Sequence, residues 1–302
     1  MKIRDKVDEL VESAGKTIVK AVETDKKQKE KKTIEDSVRD HLRGFSRTIP
    51  AFLMAYGTRE TTLENFDTII PAEVFQEVTS ITLDEFRFLR DGGDYKDEES
   101  GETKHYEGHL FDPIVFNDSV QEFLNLKEKL ADYFDETHTE DIFDYIPPQK
   151  TNQIFTPKKV VKEMVQNLEE ECPECFNDPN KTFIDLYMKS GLYITEIVKK
   201  LYNSPALKKA YPKETDRLNH IFEHQVYGLA PTEIIYRIAL SYILGFASKK
   251  QIKKHNLRYF DTLPSVQNGT LESDLDKLYE GEIPSKDKVE NKNILKRIFG
   301  GK

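Results

Sequence analysis

The sequence predicts an α/β protein, with a helical N-terminal region followed by a parallel α/β region. Three observations predict it. Up to about residue 146, apolar residues recur at three- and four-residue steps, the spacing of one helix face. Pro147-Pro148 then interrupt that pattern, because tandem prolines force extended backbone and remove amide donors. Beyond them, short apolar runs alternate with helical stretches, which is the signature of a parallel sheet. A chain of 302 residues suggests about two domains.

The elements follow in order. Residues 1–32 read as a helix running into a basic linker. Ile3, Val7, Leu10, Val11, Ala14, Ile18 and Val22 share a face, and Lys26, Lys27, Lys29, Lys31 and Lys32 follow. This tract is either a solvated helix end or a phosphate-contacting stripe. Residues 33–146 form the expected helical domain. Thr33 to Asp36 resemble a capping box. Ile34, Val38, Leu42, Phe45 and Ile49 form an apolar face, and Pro50 should kink or end the helix. Residues 51–56 read as a buried helical turn stopped at Gly57. Pro71 opens a helix through Val78, and Thr82 with Glu85 caps the segment ending at Arg90. The charged, Gly-rich stretch 91–108 reads as a mobile surface loop. Asn117 or Asp118 should cap the next helix, with Val120, Phe123, Leu124, Leu130 and Phe134 inward.

Residues 147–280 form the expected α/β domain, and 281–302 a charged tail. Thr156 should cap a helix with Pro157 at its first position. Val160, Val161, Met164, Val165 and Leu168 form the stripe of that helix. The runs 183–186, 226–229 and 257–260 read as strands. Helices should follow Ser190-Gly191 and span Thr232 to Leu244.

Composition bounds the function. Charged residues make up 33% and hydrophobic residues 37%, and no apolar run nears the roughly 20 residues of a membrane helix. Two cysteines and no export signal suggest a reducing cytoplasm. A net charge of -9 argues against free-standing non-specific DNA binding, which needs positive charge to release counterions. A DNA-binding segment within a larger assembly remains compatible with it. No phosphate-binding loop of a nucleotide motor occurs.

In open parallel sheets, ligands bind beyond the carboxyl ends of the strands. Asp185 followed by Ser190-Gly191, the stretch Ala230 to Glu233, and Asp261 all fall at such ends. Each acid alone reads equally as a helix cap; their order along the chain points to a ligand site.

Here the sequence resembles a family. Asn152-Gln153-Ile154-Phe155-Thr156-Pro157, with Val160-Val161 and Met164-Val165, resembles the opening motif of adenine-N6 DNA methyltransferases of restriction–modification systems. Residues 183–191 stand where that family has Asp-Pro-Ala-Cys-Gly-Ser-Gly, 226–231 where it has the strand ending in an acidic ribose ligand, and Asp261 where it has the acid near the cofactor adenine. The stretches 41–50, 85–93 and 143–150 resemble the spacer between helicase and methyltransferase parts in large restriction enzymes. The resemblance covers roughly residues 33–280. It implies a helical spacer domain followed by a partial Rossmann-like methyltransferase domain. It implies S-adenosylmethionine as cofactor, held by Thr156, Pro157, Asp185, Ser190, Gly191 and Asp261, with Glu233 as the nearest candidate for the ribose acid. It also implies DNA and a helicase or nuclease portion as partners.

The departures are specific. Lys189 occupies a family glycine position and adds bulk beside the cofactor path. Tyr187-Met188 replace Ala-Cys, and no carboxylate ends the second strand directly. The Asn-Pro-Pro-Tyr motif that orients a flipped adenine is missing, so no catalytic residue is assigned. Two readings follow: a cofactor-binding half that is inactive alone and binds cofactor weakly, or a non-catalytic scaffold that docks onto DNA or protein.

Other constellations read mostly as structure. Cys172-Pro173-Glu174-Cys175 has zinc-knuckle spacing, but a structural zinc needs four ligands and only His220 and His224 are near candidates. Lys249, Lys250, Lys253, Lys254 and Arg258 form a basic patch, either a solvated helix end or a DNA contact.

Overall fold

A computed structural model describes residues 45–96, 101–108, 112–147, 154–245 and 252–281. The expected helix over 1–32, its lysine tract, the Thr33 cap, Lys249, Lys250 and the tail from 282 lie outside the described residues. The protein is mixed α/β, with two compact units. Among the described residues one unit comprises 45–127 and 144–147, the other 128–143 and 154–281. The chain therefore does not divide simply at Pro147-Pro148; residues 128–143 belong with the α/β unit.

The first unit is built around aromatic rings. Residues 45–56 are helical (α1) straight through Pro50, and Gly57 N–H closes the helix on the Leu53 carbonyl at 3.0 Å. Short helices α2 (Phe66–Ile69), α3 (Ala72–Thr79) and α4 (Leu83–Asp91) follow. Phe45, Phe52, Phe66, Phe75 and Phe86 form one chain of ring contacts with centroids 5.4–6.1 Å apart. The Thr82–Glu85 capping box forms: Thr82 N–H donates to Glu85 Oε2 at 2.7 Å, and Glu85 N–H to Thr82 Oγ1 at 3.2 Å. Not every charge is a solvated face. Asp67 is buried and accepts from Arg87 and Arg90, each at 2.6 Å.

Two expectations in this unit are corrected. Within the expected loop 91–108, β1 (Gly93–Lys96) pairs antiparallel with β2 (Thr103–Tyr106). Its strands are mostly exposed and polar, so they carry no apolar alternation. Gly92 has φ 83°, and a Cβ there would lie 2.4 Å from the Tyr106 carbonyl oxygen, so the hairpin base requires glycine. Neither Asn117 nor Asp118 caps the next helix. It begins at Pro113 (α5, Pro113–Lys129), and Asp112 Oδ1 accepts from the amides of Ile114 at 2.8 Å and Val115 at 3.0 Å. Lys127 donates to the carbonyls of Leu53 (3.3 Å) and Met54 (2.9 Å), and burial pushes its amine down to about 8.

The second unit carries a parallel sheet, β3 (Phe183–Asp185), β4 (Val226–Ala230) and β5 (Asn256–Tyr259), with β4 in the middle. Helix α6 (Lys158–Glu171) and the short α7 (Pro173–Phe176) precede β3. Between β3 and β4 run α8 (Leu192–Asn203), α9 (Pro205–Ala210) and α10 (Glu214–His220), which passes into a π-helical turn. Helix α11 (Glu233–Gly245) follows β4; α12 (Leu263–Asn268) and α13 (Leu271–Glu280) follow β5. The strands, α8 and α11 match the expected elements to within two residues. Helix α6 does not use Thr156 as a cap. It starts at Lys158 with Pro157 in the flanking position and no side-chain capping bond. Its expected stripe splits: Val161 and Val165 are buried, while Val160, Met164 and Leu168 are exposed. Residues 128–143 join this core through rings, Phe134 on Tyr202 and Phe143 on Phe155 and Tyr242, each pair 4.9 Å apart. Cys172 and Cys175 are bonded to each other, and His220 Nε2 lies 2.9 Å from the Pro179 carbonyl. This spacing thus holds a local disulfide. No helix among the described residues is long and apolar enough to cross a membrane.

Candidate functional site

The three strands end side by side, and hydrogen bonds between their exits hold them there. Met188 N–H donates to the Leu229 carbonyl at 2.7 Å, tying the exit of β3 to β4. Phe260 N–H donates to the Ala230 carbonyl at 2.9 Å, tying β5 to β4. Thr262 Oγ1 donates to the Leu186 carbonyl at 2.9 Å and closes the set. The sequence motifs at 185–191, 226–231 and 261–263 are therefore brought together by the fold.

Each residue in the β3–α8 turn has a local reason. Met188 is fully buried and fills the space above Gly228, where a Cβ would stand 2.7 Å from its Sδ. Gly191 flanks α8 with φ 85°, and a Cβ there would stand 2.7 Å from Ile243 Cδ1. Backbone conformation and packing both demand glycine here. Ser190 is buried, and its Oγ accepts from Leu192 N–H at 3.3 Å. Among the described residues no acceptor takes the amides of Lys189, Ser190 and Gly191.

Asp185 is half-buried at the end of β3, and its Oδ1 accepts from Tyr187 N–H at 3.1 Å. Burial pushes its carboxyl above the usual carboxylate range, against the opposing pull of that hydrogen bond. No cation pairs with it among the described residues. Lys189 lies four residues on. Its Nζ donates to the Ile154 carbonyl at 3.4 Å and sits 6.0 Å from the Tyr187 ring centre. No carboxylate pairs with it among the described residues. The segment leading to Thr156-Pro157 is thus linked to the β3 turn through Lys189.

The other expected residues stand differently. Asp261 is exposed, one residue before the Thr262 cap position of α12, and its Oδ1 accepts from Leu263 N–H at 3.1 Å. Glu233 lies in the first turn of α11 and pairs with Arg237 at 3.3 Å. β4 ends at Ala230 and Pro231 follows directly, with Thr232 Oγ1 accepting from Ile235 N–H at 3.4 Å, so no free carboxylate ends that strand. The basic patch is partly engaged: Lys254 pairs with Glu223 at 2.9 Å, and Arg258 donates to the carbonyls of His255 and Leu257.

A second charged site was not foreseen. Along α8 from Glu196 to Asn203 a groove of about 400 Å³ is lined by Glu136, Lys162, Glu169, Glu196, Lys199 and Lys200 among others. Lys199 pairs with Glu136 at 2.7 Å and Glu196 at 3.3 Å, Lys162 with Glu136 at 3.5 Å, and Lys200 with Glu169. The Glu196–Lys199 spacing was visible on the helix; Glu136, far away in sequence, was not. Its charges already satisfy one another. The strand ends, by contrast, hold an acid and a lysine that do not.

Compared with family models, with curated proteins and with solved structures, the chain finds no match.

Proposed function

We propose that the α/β unit is the S-adenosylmethionine-binding half of a DNA adenine-N6 methyltransferase from a restriction–modification system. In this reading its three strands are the first strands of a Rossmann-like sheet. The observation that carries it is the pair of unpartnered opposite charges, Asp185 and Lys189, at knitted parallel strand ends. Burying an acid without a cation costs stability, and such arrangements cluster where ligands bind.

The residues fit one end of the cofactor better than the other. Its amino-acid end carries an ammonium and a carboxylate. Asp185 offers an acceptor to the first, and Lys189 with the open amides of Ser190 and Gly191 offers donors to the second. Thr156 and Pro157 lie on the segment that Lys189 contacts through Ile154. The ribose end is poorer, because Glu233 is drawn to Arg237 and Asp261 Oδ1 already accepts from Leu263 N–H. When bound, the cofactor supplies an electrophilic methyl group. This chain's residues bind and orient it, and the adenine-holding motif, with DNA and a helicase or nuclease portion, comes from elsewhere in the assembly.

Calorimetry of the chain with S-adenosylmethionine tests binding; absence of heat at millimolar ligand would remove the reading. The chain alone is expected to transfer no radiolabelled methyl group to unmodified duplex DNA, because the adenine-holding motif is missing. Transfer by the purified chain would show that catalysis is complete within it.

One observation favours the second reading, an interaction scaffold without cofactor. The exposed Val160, Met164 and Leu168 repeat every four residues along α6 and form an apolar stripe suited to a protein partner.

A further inference from the structure

We infer that Lys189 is the specificity-determining residue of the strand-end site, selecting ligands by their carboxylate. The inference rests on the proposed cofactor reading and deepens it. Four observations combine. Lys189 leaves the same turn as Asp185 but does not pair with it. Its ammonium has only a carbonyl, that of Ile154 at 3.4 Å, and the face of the Tyr187 ring at 6.0 Å as partners. Both contacts leave donor capacity on an ammonium that has three N–H groups. The Ile154 contact also joins the lysine to the segment that carries Thr156-Pro157.

A lysine placed this way acts as a point charge that adds a charge-assisted hydrogen bond to an anionic ligand group. The acid that would compensate it within the protein is lacking among the described residues, so the ligand supplies it. Asp185, at the end of β3, repels a second anion and accepts from a cationic group. The site is thereby polarised for an α-amino acid moiety with both charges, held in one orientation.

The test uses the full chain and two probes, S-adenosylhomocysteine and its decarboxylated form, titrated by calorimetry. Neither carries the sulfonium, so repulsion between that charge and the lysine does not enter. Wild type is expected to bind the carboxylate-bearing probe at least about tenfold more tightly, the ratio one charge-assisted bond supports. Lys189→Met should lose that preference while its affinity for the decarboxylated probe stays the same, and Lys189→Arg should keep most of it. Thermal melting checks that each variant is folded. A preference that persists in Lys189→Met overturns the inference and leaves the cofactor reading standing. Tighter binding of both probes by Lys189→Gly would also overturn it, showing that the lysine merely obstructs. Failure of wild type to bind either probe overturns the cofactor reading itself and takes this inference with it.

Discussion

Midway along α8, Glu196 and Lys199 are almost sealed from water and face each other at 3.3 Å, with Glu136 completing a triad. At its N-terminal end, Asp185 and Lys189 share one turn, and among the described residues neither has an opposite charge. One helix therefore carries a satisfied charge cluster and follows directly on an unsatisfied one. A set of charges that neutralise one another leaves little for a ligand to gain. The difference teaches that vacancy of partners marks the place where a ligand gains free energy.

The comparison breaks most readily at Lys199. Lys199→Met leaves Glu196 a buried carboxylate without its cation. Removing one partner of a buried pair costs about 3–5 kcal/mol, so the urea midpoint should fall sharply. Lys199→Met with Glu196→Leu should recover much of the loss, since replacing both charges removes the stranded one. Cofactor binding should be untouched in the folded fraction. If Lys199→Met were as stable as wild type but lost binding, the groove would be the functional site and the strand ends would be structural.

Next in size is Asp185. Asp185→Asn keeps an oxygen that accepts from Tyr187 N–H and removes only the charge. Loss of one hydrogen bond to a charged group, about 1.5–3 kcal/mol, predicts a ten- to hundredfold weaker affinity for S-adenosylmethionine in calorimetry. An unchanged affinity would show that the carboxylate does not face the ligand.

How far these sites could be read in the sequence differs by element. The strands were legible because each is a short apolar run between polar turns, and the parallel order followed from the helices between them. The site residues at 185–191 were legible as a turn because small residues follow a strand-ending acid. That Met188 packs over Gly228 was not, since it depends on which strand lies beside β3. Asp112 carried its own signal, an acid directly before Pro113, a favoured helix start that the apolar periodicity obscured. The hairpin at 93–106 had no such signal, since its exposed strands show no alternation of apolar residues. The division near residue 128 was hidden for a different reason. Tyr133, Phe134 and Phe143 are plainly core residues, but one-dimensional periodicity cannot tell which core receives them. Charge pairing was the least legible property: that Lys199 finds two acids and Lys189 none is decided wholly by tertiary placement.

The smallest effect sharpens the comparison by its sign. Burial raises the Asp185 carboxyl above the ordinary range in the folded chain. Below the ordinary value of about 3.9 the group is protonated in both states and makes no difference. As pH rises from there, the unfolded chain loses this proton first, so the ionised group costs folded stability, and the cost levels off above the folded value. Asp185→Asn relieves it. The variant should therefore be more stable than wild type at pH 7 by roughly 0.5–2 kcal/mol, the range of ordinary stabilising substitutions, and the gain should shrink towards pH 4. Urea unfolding of both proteins at the two pH values measures this. Removing a charge from the groove would then weaken the fold, while removing one from the strand ends would strengthen it and weaken binding, as expected of a residue kept for a ligand. A destabilised Asp185→Asn at pH 7 would instead show that the carboxylate holds the β3 turn together, and the two charge clusters would no longer differ in kind.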